Sequence, residues 1–97
     1  MDSLSQDLSA FLLRLHQHPD SVSERVEHFI KHLLYLLPDD DVKIISAFFG
    51  VNGASSTSIA VLAEEHHCTV SELQARMEKD LRHLAVAPEW QMIKQLI

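Results

Sequence analysis

Glycine and proline are scarce in this chain of 97 residues, two and three respectively, which excludes collagen-like and low-complexity architectures. A single cysteine, Cys68, excludes an internal disulfide and fits a reducing compartment. Positive charge is also short. Eight Lys and Arg stand against fourteen Asp and Glu, a net charge of −6, whereas binding along a phosphate backbone needs a cationic face that releases counterions. The longest apolar run, Leu33-Leu34-Tyr35-Leu36-Leu37, falls far below the roughly 20 residues of a membrane span. Asp2 and Asp7 sit where the start of a secretory leader would be basic. The expectation is a soluble, cytoplasmic protein.

What is present is apolar surface, 46% of the residues against 23% charged, enough to offset the entropy of ordering the chain. The length suits one domain whose folding hides roughly 60–65% of the surface of the unfolded chain. Such a core is thin, and a partner or second copy could complete it.

Apolar spacing is helical nearly throughout. Leu4, Leu8, Phe11, Leu12 and Leu15 form one stripe, with Ser3 and Gln6 in capping-box register ahead of it. Ser21 and Glu24 repeat that register, and Val22, Val26, Phe29, Ile30, Leu33, Leu34 and Leu37 carry a second helix to Pro38. Its leucine-rich end suggests cover on both faces. Pro38 followed by Asp39-Asp40-Asp41 opens a third helix, with carboxylates at the positive end of its dipole, and Gly50 ends it. The loop from Gly50 to Thr57 holds both glycines. Ser58 caps a short helix, His66-His67-Cys68 interrupts, and Thr69 caps another bearing Leu73, Met77, Leu81 and Leu84. Pro88 opens a last stretch with Trp90, Ile93 and Ile97. No strand-length stretch alternates with period two. The fold class expected is all-α, a compact single domain of five to six helices. Residues 58–84 have the lengths of a helix-turn-helix.

From Leu37 to Leu84 the chain resembles the fourth conserved region of bacterial sigma factors, without a gap. Leu37-Pro38 and the acidic turn, Ile44, Ile45 and Phe49 before Gly50, and the loop Gly50-Val51-Asn52-Gly53 follow that family's pattern. So do Ser58-Ile59, Leu62-Ala63 and Glu64-Glu65, the cap Thr69, then Leu73, Leu81, Arg82, His83 and Leu84. The resemblance covers about half the chain. It implies a helix-turn-helix (residues 37–84) that docks on RNA polymerase and reads a promoter element. Residues 1–36 would be a helical pair that packs on this domain or dimerises it, and 85–97 a C-terminal helix.

The departures fall on the probe helix. Where the family places Arg and Gln side chains that reach bases and phosphates, this chain has Val70, Glu72, Gln74 and Ala75. Valine does neither task, and a glutamate is repelled by the backbone. His66-His67 replaces an apolar residue and a glycine, Arg76 an apolar residue, and Asp80 a small one. Such a helix can be rotated or packed differently. Residues 70–97 carry four acids and four bases, so even this segment is not cationic. The DNA-contact candidates are Thr69, Gln74, Arg76, Lys79 and Arg82. The competing reading of Arg76, Lys79 and Arg82 is a solvated face paired with Glu72, Glu78 and Asp80. The partner-contact candidates are Phe11, Leu15, Phe29, Leu33, Trp90 and Ile93, whose alternative role is core.

Seven histidines raise metal binding. Glu24, His28 and His32 share a helix face, but without HExxH or paired cysteines they read as surface or interface residues, and no metal or cofactor is expected. Nothing marks an enzyme: no Gly-Lys-Ser/Thr phosphate loop occurs, and Cys68 beside His67 matches a nucleophile and base only in composition. The resulting expectation is a transcription protein acting through contacts with RNA polymerase or another transcription factor, binding DNA weakly or not at all. Two alternatives stay open. One is a helical interaction module such as a secretion-associated adaptor or chaperone, and the other is a homodimeric DNA-binding regulator.

Overall fold

The computed structural model describes residues 2–97, without the side chain of Ser21. Six α-helices follow one another: α1 (Ser3–Gln17), α2 (Glu24–Leu34), α3 (Asp39–Phe49), α4 (Ile59–Glu65), α5 (Val70–Ala85) and α6 (Pro88–Leu96), with a 3₁₀ turn at Pro19–Ser21. The all-α class is as expected, and among the described residues there is no strand.

Capping residues set most of the boundaries. Thr69 accepts the Glu72 amide while the Glu72 carboxylate accepts the Thr69 amide, so α5 begins in a complete capping box. Ser58 accepts from the Val61 amide at the start of α4, and Ala87 precedes Pro88 at the start of α6. Two caps differ from the sequence expectation. Asp2, not Ser3, accepts the Ser5 amide at 2.8 Å and caps α1. Ser23 caps α2; the side chain of Ser21, expected in that role, lies outside what is described.

The end of α2 differs too. The helix stops at Leu34, and Leu36 and Leu37 donate to Leu33 and Leu34 in tighter three-residue turns. That change of pitch buries Leu37 and turns Tyr35 and Leu36 outward, at 62% and 42% exposure, so the leucine-rich end is covered on one side only. At the end of α3 the chain reverses through Gly50 at φ +66°. Thr57 donates to the Ala47 carbonyl and returns the glycine loop to α3.

The helices enclose one core to which all six contribute. α1 lies mainly on α5 and α2 mainly on α6, while α3 and α4 each pack on α5. The two N-terminal helices therefore serve different neighbours and are not principally a pair. The radius of gyration is 12.8 Å, close to the ~12.5 Å of a folded chain of this size. No described helix is long and apolar enough to cross a membrane.

Candidate functional site

The probe helix of the sequence argument is α5. Its buried face consists of Leu73, Met77, Asp80, Leu81, Leu84 and Ala85. The opposite face presents Ser71, Gln74, Ala75, Glu78, Lys79 and Arg82 to solvent. α4 and α5 pack on each other across the turn His66–Thr69. In that turn His67 adopts φ +56°, the left-handed conformation that glycine takes without strain.

The DNA-contact candidates do not form a cationic stripe. Thr69 is occupied with its cap, and Gln74 and Lys79 are exposed. Arg76 turns away from the outer face towards α3, where its Nε donates to Asp41 Oδ1 at 2.7 Å and its Nη2 donates to the same oxygen. Arg82 reaches the N-terminus of α1 and donates from Nη1 to Asp2 Oδ2. Arg76 and Arg82 form ion pairs with other elements, at sequence separations of 35 and 80, while Asp80 stays a helix-local electrostatic neighbour of Arg76 and Lys79.

Beneath Arg76 lies a polar cluster that the sequence reasoning missed. Asp41 and Asp80 are both 7% exposed, an uncommon state for carboxylates. Burial pushes the Asp80 carboxyl up to about 7, and its hydrogen bond with Asp41 and that residue's charge add to the rise; Arg76 and Lys79 oppose it. The Asp41 carboxylate in turn raises the Arg76 guanidinium above its ordinary range, burial acting the other way. Asp80 Oδ2 is buried without a hydrogen-bond partner. The cluster is a charged seam between α3 and α5, with one guanidinium facing two carboxyl groups. Two departures from the sigma pattern, Arg76 and Asp80, lie one turn apart and belong to this single arrangement. That coincidence was the available signal.

Arg82 is a lesser case. Its side chain is 67% exposed, so solvent screens its pairing with Asp2. The Ser5 amide, and after it Arg82, holds the Asp2 carboxyl below its usual range, with slight desolvation acting against them.

The partner-contact candidates are mostly interior. Phe11, Leu15, Leu33, Trp90 and Ile93 are all buried, and Phe29 is half-buried against the core with Arg25 lying 5.9 Å above its ring. The Phe11 and Trp90 rings meet at a tilt of 51°, 5.4 Å between centroids. This corrects the expectation that these residues present a docking surface: the stripes of α1, α2 and α6 close on the chain's own helices. A cleft of about 520 Å³ opens beside Leu15, among His16, Glu27, Lys31 and the Gly50–Ala54 loop, and no DNA-contact candidate lines it.

No protein-family model matches the chain, and neither a curated protein nor a solved structure does.

Proposed function

We propose that the chain is a transcription-associated protein with a sigma-region-four-like helix-turn-helix, acting through contacts with RNA polymerase or another transcription factor. Its own affinity for DNA is low or nil. The observation that carries the reading is the disposition of α5. Arg76 and Arg82, the guanidinium groups suited to phosphate, are held by Asp41 and Asp2, and Glu78 sits among the exposed residues of the same face. A duplex approaching this helix would meet Lys79 exposed, but would have to displace a carboxylate from each arginine before gaining a phosphate contact from either. The gap-free likeness of residues 37–84 to sigma factors supports the transcription assignment. The low cation content supports protein partners in place of DNA.

A homodimer seam on the stripes of α1 and α2 is disfavoured, since Leu8, Leu12, Leu15, Val26, Ile30 and Leu33 are already buried within one chain. The partner surface is therefore sought on the exposed face of α5. The test uses purified core RNA polymerase and the untagged chain in analytical ultracentrifugation. Co-sedimentation that weakens when Ala75→Arg and Glu78→Arg are introduced supports the proposal. No co-sedimentation over a concentration range reaching tens of micromolar removes polymerase as the partner.

A further inference from the structure

His28 and His32 lie one turn apart on α2, both exposed, and share a hydrogen bond between their Nε2 atoms, 3.0 Å apart. The rings stand edge to face, 82° between planes and 4.5 Å between centroids. We propose that this pair is a chelating site for a borderline divalent ion, Cu²⁺ or Ni²⁺ ahead of Zn²⁺.

The argument is geometric. Imidazole nitrogens bind such ions at about 2.0–2.1 Å, so two of them at a right angle on one ion stand roughly 2.9 Å apart, and at a tetrahedral angle roughly 3.4 Å. The observed separation matches the right angle, the arrangement of square-planar and octahedral sites that Cu²⁺ and Ni²⁺ favour. Metal binding replaces the hydrogen bond between the rings: each imidazole then carries its proton on Nδ1, which leaves both Nε2 lone pairs for the ion. Spacing of four residues on a regular helix holds the two donors in register without a loop to order. Among the described residues no set of three His, Cys, Asp or Glu side chains gathers to hold an ion, so Glu24, a turn earlier, does not complete a closed site. The remaining coordination positions belong to water or to a donor from outside the chain. That is an open site, unlike the four-ligand structural kind. The proposal is independent of the transcription reading, because α2 and the exposed face of α5 are separate surfaces.

The test is isothermal titration of the untagged full chain with NiCl2 and with CuCl2. Variants are His28→Gln, His32→Gln and, as a control on α5, His83→Gln, each checked for folding by circular dichroism. The expected result is one ion per chain, with affinity retained in H83Q and reduced at least tenfold in both H28Q and H32Q. A second readout is thermal: the ion bridges successive turns of α2, so it raises the melting temperature of the parent chain and of H83Q only. Equal affinity in the parent and H28Q, or no binding up to millimolar metal, overturns the proposal.

Discussion

Asp80 carries the sharpest consequence at the scale of single residues. Its carboxyl titrates near 7 in the folded protein against 3.8 for the ordinary group. Between these values the folded state holds a proton that the unfolded chain has released. Stability from this residue is therefore complete below about pH 4 and is lost as pH rises towards and through 7. Asp80→Asn removes that slope. Relative to the parent, the variant gains stability with rising pH, reaching about 1–3 kcal/mol at pH 8, and urea unfolding at pH 5 and pH 8 measures the difference. Arg76→Ala acts in the opposite direction. It leaves Asp41 and Asp80 facing each other with only the lesser influence of Lys79 and costs about 1–3 kcal/mol near neutral pH, read by the same unfolding curves.

Gly50 is a second position where one atom decides. A Cβ built there would lie 2.6 Å from His16 Nδ1, and the backbone sits at φ +66°. His16 Nδ1 also lies 3.0 Å from the Gly50 carbonyl oxygen, which ties α1 to the end of α3. Gly50→Ala therefore combines a left-handed alanine with a displaced histidine and costs about 1–3 kcal/mol, visible as a lower melting temperature.

At the scale of elements, the sequence was legible wherever a rule is local. Ser58 and Thr69 announced α4 and α5, because a cap depends on amides two or three residues away. Pro88 announced α6 through the fixed φ that suits a first helical turn, and the acidic start and left-handed Gly50 end of α3 were legible from equally local rules. The end of α2 was not: Leu36 and Leu37 continue an apolar pattern, and only the switch to three-residue hydrogen bonds separates them. The Asp41–Arg76 link was hidden by its separation of 35 residues; helix-local partners one turn from Arg76 looked equally good on paper. α6 supplies a test of how the elements depend on one another. It delivers Trp90 and Ile93, at 2% and 0% exposure, to the core and packs chiefly under α2. Trp90→Ala is expected to cost about 3–5 kcal/mol, enough to unfold much of a marginal domain of this size. Far-ultraviolet circular dichroism during urea titration records it.

At the scale of the whole molecule, the apolar stripes that suggested a docking surface are what closes the globule. A chain of this length has little apolar area to spare, and α1 and α2 place theirs on α5 and α6. Of the candidate partner residues, Phe11, Leu15, Leu33, Trp90 and Ile93 are buried in the chain's own core and Phe29 is half-buried against it. Most charge is left outside, beside scattered apolar residues such as Tyr35 and Leu36, and the arrangement of that charge matters more than its sum. The acidic side chains Asp2 and Asp41 lie against the arginines of α5 and offset their charge, so this face lacks the cationic excess that binding along a phosphate backbone needs.

The most direct test is a fluorescence anisotropy titration of the untagged chain against labelled duplex DNA at low salt. The account predicts a dissociation constant weaker than about 10 µM and a shallow dependence on salt, since few counterions are released. Submicromolar binding that falls steeply as salt is raised, and that is lost in an Arg82→Ala variant, would contradict it.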